Sequence, residues 1–467
     1  MDIPENAADL VKLAIKSSDA YIAAAVHKVA SESDKVKLES LMFGKRRNAL
    51  MLAKWEYTPA SVLLALSNST DGAVVVRLDK NPSTPSQAMT NLYLEKFDDS
   101  KRNLTLTVLI AQHQHTPIGI LECLAKFDDN IESLMAVSKN PTINADVLRV
   151  LMNRMGNSHN FNSLKKNVAT HPSATADLLE YIYCDSDAYT RAAVISHAHC
   201  PQFLIERALN DDVIVMRQLA ASSRLTKDML AKLALYKDKV IRRRIASNLT
   251  LTRDLITLLV KDSNNAVRRE IAARADLTVN NIKYLMCDSD HWVRMWLARN
   301  PTVPGKVLES LSLDQHAEVR RAVGRNPRCP IKLLKILSKD KHPWVRSAVA
   351  YQHRSPRKLM QELAEDADVD VLSGVANNPN TPQRVLQKLT ASPEADVRRG
   401  VIFNYKATRK TLLPLLKDSY YLHRLMLVTN SKLKEKDKWH LRHDPDYQVR
   451  FAVFKWLVDR LNKVIVY

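Results

Sequence analysis

An arginine returns at a fixed interval along most of this chain: Arg191, Arg217, Arg242, Arg268, Arg294, Arg320, Arg346, Arg398, Arg424 and Arg450. Every step is 26 residues, save one of 25 between Arg217 and Arg242 and one double step across Leu372. A period of that length means one supersecondary unit repeated many times, so the chain must build an array rather than a single closed core. Aligned on the arginine, VRREIAARADLT, VRMWLARNPTVP, VRRAVGRNPRCP, VRSAVAYQHRSP, VLSGVANNPNTP and VRRGVIFNYKAT share their apolar and turn positions. Upstream the register persists through Lys165 and the turn signals AKWEYTP, DKNPSTP, AQHQHTP and SKNPTIN. The count is about fifteen units of two helices each.

One unit shows how the residues dictate it. With Val319 as position 1, Val319, Ala322, Val323 and Asn326 fall at i, i+3, i+4 and i+7, one face of a short helix. Asn-Pro stops that helix, because the residue before proline avoids the α region. A second helix is expected after it, with Ser or Thr as N-cap and Pro in the first turn, as at Thr84-Pro85, Thr116-Pro117, Ser355-Pro356 and Thr381-Pro382. Its apolar face is Leu333, Leu334 and Leu337. Neither helix buries its face alone, so the units must stack. Eight glycines against nineteen prolines fit short connections with few positive-φ positions.

The pattern VRxxVAxNPxTPxxxLxxLAxD, clearest at residues 293–314, 319–340 and 371–389, resembles the leucine-rich repeat variant of bacterial proteins. The resemblance spans residues 50–455 and implies an all-α, right-handed superhelical solenoid of α/3-10 or α/α units, related to HEAT-type arrays. The period here is longer than the family's unit, and the N-terminal cysteine cluster that can accompany the family is absent. For function the resemblance implies an interaction surface and little more. The expected layout is an N-terminal helical cap over 1–50, open to a second reading as a docking helix, then divergent neutral repeats over 51–160. Regular basic repeats follow over 161–445, with a capping helix over 446–467.

Six residues before the arginine stands an aspartate, at Asp185, Asp211, Asp262, Asp288, Asp314, Asp340, Asp418 and Asp444; Asp366 keeps its place where Leu372 replaces the arginine. This resembles the Asp/Arg ladder of HEAT-type repeats. It implies that Arg268, Arg294, Arg320 and Arg346 with Asp262, Asp288, Asp314 and Asp340 tie unit to unit by charge-assisted hydrogen bonds.

Charge then selects candidates outside the ladder. The formal net charge is +20, yet residues 1–160 hold 18 basic and 18 acidic side chains, so all of the excess lies beyond them. So localised a field favours an anionic partner: nucleic acid, DNA ahead of RNA, or an acidic protein. Positions 3 and 7 of the first helix are expected to face outward together, four residues apart. They carry Arg243, Arg269, Arg321 and Arg399 at position 3, beside Arg244, and Arg299, Arg325 and Tyr351 at position 7, with Ser196, Ser222, Ser247, Asn377 and Phe403 extending the stripe. Such a stripe suits a phosphate backbone followed with little sequence discrimination. His291, Trp292, His316, His342 and Trp344 precede successive helices, where a Trp is expected to act as a hydrophobic staple and alternatively stacks bases.

The remaining chemistry is sparse. His113, His171 and His197 occupy the place of Asn81, Asn300, Asn326 and Asn378, so they are read as turn residues rather than metal ligands. Cys123, Cys184, Cys200, Cys287 and Cys329 form no CxxC pair, which fits reduced thiols in a cytoplasm and no metal or cofactor. No secretory leader, no run of 18 apolar residues and none of the motifs GxGxxG, GxxxxGK[ST], HExxH or GxSxG occurs, so neither a membrane span nor a small-molecule enzyme is expected. DNA glycosylases built on HEAT-like repeats supply one enzymatic alternative, with Asp290, Trp292 and Trp296 cast in the active parts.

Overall fold

The computed structural model describes residues 3–96, 104–155 and 162–464, and among them every regular element is a helix. Two compact units emerge, Met1–Val215 together with Glu435–Tyr467, and Met216–Lys434. Both repeat the same construction. In the unit around Arg320, a first helix runs over Ala317–Arg325 and a second over Ile331–Leu337. Val319, Ala322 and Val323 of the first face Leu333, Leu334 and Leu337 of the second, all buried. Most second helices are α; 3-10 turns take over at Ala208–Asn210, Leu413–Lys417 and His440–His443.

The turn between the helices differs from the expected cap. Pro117, Pro330, Pro356 and Pro382 themselves occupy the N-cap, with φ of −57° to −65° and ψ of 140° to 153° and no side-chain cap. Proline has no N–H to lose there, and its fixed φ suits the extended cap. The hydroxyl before it is thereby released to the preceding helix: Thr116 donates to the Ile110 carbonyl, Ser355 to Val349 and Thr381 to Val375, at 2.5–2.7 Å. These bonds satisfy carbonyls that a helix C-terminus leaves open.

Two ladders join the units. In the first, Nε and Nη2 of Arg320 grip the Asp340 carboxylate, twenty residues on, at 2.7 and 3.0 Å, while Nη1 donates at 2.8 Å to the Asp314 carbonyl, six residues back. Arg242–Asp262, Arg268–Asp288, Arg294–Asp314, Arg346–Asp366 and Arg398–Asp418 repeat this geometry. The residue six before each of these arginines therefore supplies its carbonyl; where it is an aspartate, as before Arg268, Arg294, Arg320 and Arg346, its carboxylate belongs to the preceding unit's arginine. Leu372 now makes sense: Asp366 serves Arg346, and the residue twenty beyond Leu372 is Ser392, so arginine and acceptor are lost together. Burial pushes the Asp314 and Asp340 carboxyls up, but their arginines and a backbone N–H hold them below the usual carboxylate range.

The second ladder is made by the asparagine that ends the first helix. Asn326 Nδ2 donates to the Ala298 and Asn300 carbonyls at 2.7 and 3.0 Å, and its Oδ1 accepts from the Arg328 N–H. Asn81, Asn140, Asn300, Asn378 and Asn404 do the same. Histidine substitutes where the sequence placed it: Nε2 of His113, His171 and His197 lies 2.9 Å from a carbonyl of the preceding unit, and Nδ1 accepts the N–H two residues on. That pattern requires the neutral ring with its proton on Nε2.

Within Met1–Val215 plus Glu435–Tyr467 the two ends of the chain meet. The helix Ala20–Val26 packs on Tyr447–Val464, and Tyr21, Trp55, Tyr447 and Phe451 interlock with ring centroids 4.1–5.8 Å apart. Arg450, the last arginine of the series, takes its carboxylate from the other end of this unit. Asp19 supplies it, bonding Nε at 2.8 Å and Nη2 at 2.7 Å while its other oxygen caps Tyr21 and Ile22. Residues from Asp19 onward thus serve as the next unit.

Within Met216–Lys434 the first helices approach one another much more closely than the second helices do, so the first-helix layer is the inner one. A Cβ at Gly374 would stand 2.7 Å from the Ala350 Cβ, and one at Gly400 2.7 Å from that of Ala376. Side chains pointing away from the second helices therefore line the inner face of this unit.

The ladder pair makes a quantitative expectation. Arg320→Leu strands the half-buried Asp340 carboxylate and should cost about 1–3 kcal/mol, whereas adding Asp340→Ser, which copies Leu372 with Ser392, should recover most of it; a double-mutant cycle by chemical denaturation measures this. Asp79 gives a second. It is 3% exposed, neither carboxylate oxygen has a hydrogen-bond partner, and burial pushes it up to about 7. Unfolded, the carboxyl ionises near its ordinary value, so stability falls as pH rises from about 4 to about 7. Asp79→Asn should stabilise the protein by on the order of 3 kcal/mol at pH 8 and change little at pH 4, which melting curves across pH resolve.

Candidate binding surface

The inner face of Met216–Lys434 is set by the first helix. Position 7 is exposed in every unit from Ser247 through Ala273, Arg299, Arg325, Tyr351, Asn377 and Phe403. Position 3 follows the expected outward stripe only in part: Arg243 and Arg399 are exposed and Arg269 and Arg321 half-buried, while Met295, Ser347 and Ser373 are buried.

Contacts within the protein decide what the arginines do. Arg243 reaches Glu270 at 2.8 Å and Arg269 reaches Asp290 at 2.7 Å, each in the next unit. Arg399 pairs with Asp396 on its own helix at 2.8 Å. Arg244 donates to the Gln218 side chain at 2.9 Å and to the Arg217 carbonyl. Four of the seven candidate arginines are therefore already answered, and Arg299, Arg321 and Arg325 have no acid or hydrogen-bond acceptor among the described residues. Arg321 and Arg325 lie one turn apart, and Arg299 and Arg325 share position 7 of helices packed directly on one another. Burial, then the charges of Arg321 and Arg299, hold the Arg325 guanidinium below its ordinary value. The three crowd a place with no counter-ion.

Aromatic rings frame that place. The Arg299 guanidinium lies over Trp296 at 4.8 Å, and Arg321 lies over Trp344 at 5.8 Å. Arg269 covers Trp292 at 5.9 Å. Trp292, Trp296 and Trp344 are 41%, 37% and 45% exposed, so Trp292 and Trp344 are not buried staples; each offers a face to an arginine of the unit before. Tyr351 continues the line, and burial raises its hydroxyl above the ordinary value. Trp296 stands at position 4, where Ala322, Ala348, Gly374 and Gly400 are small, and at Gly374 and Gly400 the preceding first helix packs there. A tryptophan at that position was the available sign of an open place on the face.

Other candidates have structural roles here. Asp290 caps its helix through the Trp292 and Val293 N–H groups and also holds Arg269 and Asn265. Burial opposes ionisation, but these partners keep its carboxyl at about 2, a spent acceptor rather than a proton-transfer group. His291 and His316 stack at 4.3 Å, His316 also meets Asp314, and His342 caps Trp344. His199 bonds the Ala174 carbonyl beside His197. No group of three potential metal ligands occurs among the described residues.

No protein-family profile and no curated protein matches the chain. Among solved structures it is similar to a leucine-rich repeat variant with a novel repetitive structural motif, at 26% identity and TM-score 0.36 over 47% of this chain and 87% of that one. It is also similar to UNC-45 from Drosophila melanogaster (13% identity, TM-score 0.24, 98% and 78% covered). Kap121p bound to Nup53p shows 12% identity and TM-score 0.25, with 100% and 55% covered.

Like charges one turn apart oppose helix formation by a few tenths of a kcal/mol. Arg325→Gln should therefore leave stability unchanged or raise it by about 0.2–0.5 kcal/mol, opposite in sign to loss of a ladder arginine, as urea denaturation would register.

Proposed function

We propose that this chain is a non-enzymatic helical-repeat scaffold that docks an acidic protein segment on the inner face of Met216–Lys434, at Arg299, Arg321 and Arg325. The observation that carries this reading is the distribution of counter-ions. Arg243, Arg269 and Arg399 are paired by their own protein, so the unpaired candidate arginines of the inner face form one local cluster rather than a track that follows a polymer. A short acidic segment fits a local cluster, and the exposed Trp296, Trp344 and Tyr351 offer apolar surface beside it. The ladder arginines take no part, since each is spent on Asp of the next unit. Five free cysteines suit a reducing compartment such as the cytoplasm, and no described helix is long and apolar enough to cross a membrane.

A second reading, nucleic-acid binding, draws on the same tryptophans, which are able to stack unpaired bases, and on the net charge of +20. The two separate in one experiment. Fluorescence anisotropy is measured with a labelled Asp/Glu-rich peptide and with single- and double-stranded DNA and RNA, across a salt series. Arg299→Glu, Arg321→Glu and Arg325→Glu together should weaken peptide binding more than about tenfold. Lys332→Glu, Lys335→Glu and Lys339→Glu make the same change in net charge at exposed positions on a second helix and the turn after it, and should weaken it far less. Equal loss in both triple variants would reduce the effect to overall charge. Tight nucleic-acid binding with a steep salt slope and no peptide binding would replace the scaffold reading with the second.

A further inference from the structure

Arg299, Arg321 and Arg325 present more than positive charge. The Arg299 guanidinium lies 4.8 Å from the Trp296 ring centroid and that of Arg321 5.8 Å from Trp344, within cation–π reach, and a ring takes up no N–H donor as an acid would. Arg321 Nε is buried and without a hydrogen-bond partner, a donor already desolvated and unanswered. Directly packed helices stand roughly 8–10 Å apart, and residues one turn apart about 6 Å. Three long side chains at those separations are able to converge on one small group.

The charge and shape of that group follow. A single carboxylate brings one negative charge and two oxygens, enough for one fork. A phosphomonoester brings close to two charges and three terminal oxygens, enough for three. A nucleic-acid phosphodiester brings one charge per group in a continuous row. Along this face Arg269 in the unit before is held by Asp290, and Arg399, three units beyond Arg321, by Asp396, so a row would meet answered arginines in both directions. Resting on the scaffold reading, we infer that Arg299, Arg321 and Arg325 form a site for a phosphorylated side chain within the docked acidic protein segment. Trp296, Trp344 and Tyr351 then take the apolar residues that flank it.

The test uses the full chain and three fluorescent peptides identical except at one central position, which is Ser, Glu or phosphoserine, in an acidic context with apolar flanks. The phosphoserine peptide should bind at least about tenfold more tightly than the Glu peptide. Arg325→Lys retains the charge but loses the fork, so it should abolish most of that preference while leaving the Glu peptide within about twofold. The preference should also shrink between pH 7.5 and pH 5, as the phosphate gains a proton near pH 6. Equal affinity for the Glu and phosphoserine peptides, with both still lost in the triple Glu variant, would overturn the phosphate site and leave the scaffold reading standing. Failure of all three peptides would overturn both. Displacement of the phosphopeptide by single-stranded RNA at lower concentration than by unlabelled phosphopeptide would overturn the assignment to protein.

Discussion

From Arg191 onward, most units of this protein hang on an arginine that they do not keep for themselves. The first helix sends its guanidinium forward to the carboxylate of the following unit and backward to the carbonyl ahead of its own helix, so one side chain fixes three pieces of backbone. The asparagine at the end of the same helix reaches in the opposite direction, to the carbonyls of the unit before. Between them, polar groups that short helices would leave open are satisfied by neighbours. Such helices are too short to be stable alone, and the coupling moves their stability from the helix to the stack.

The same bookkeeping separates construction from function. A net charge of +20 suggests a broad basic surface, yet most arginines on the inner face have a partner supplied by the fold. What distinguishes Arg299, Arg321 and Arg325 is the absence of such a partner among the described residues, where the other four candidate arginines have one. Their tryptophan neighbours orient them without neutralising them.

The repeat was legible in the sequence because every unit buries the same residues at the same spacing. The ladder's members were legible too, but its direction was not. In a 26-residue period the position six before an arginine and the position twenty after it are the same register, so spacing cannot say which carboxylate the arginine takes. Asp19 was hidden for a different reason, since its partner lies 431 residues away and no periodicity connects them. At the surface, position 7 could be read from helix geometry alone. Position 3 could be read only in part, because burial there depends also on the neighbouring units: Arg243 and Arg399 are exposed, while Met295, Ser347 and Ser373 are buried. The threonine and serine before proline were misassigned as caps because cap preference is a local rule, and here a carbonyl of the preceding helix competes for the hydroxyl.

The bond between Asp19 and Arg450 changes how the protein should come apart. A linear stack of repeats frays from its terminal units, which have one neighbour instead of two and exchange their amide protons first. Here Ala20–Val26 and Tyr447–Val464 pack on each other, so each gains a neighbour that a terminal repeat of a linear stack lacks, and opening there should be slowed. Within Met216–Lys434 the step at Leu372 and Ser392 has neither arginine nor aspartate, and this unit should open there first.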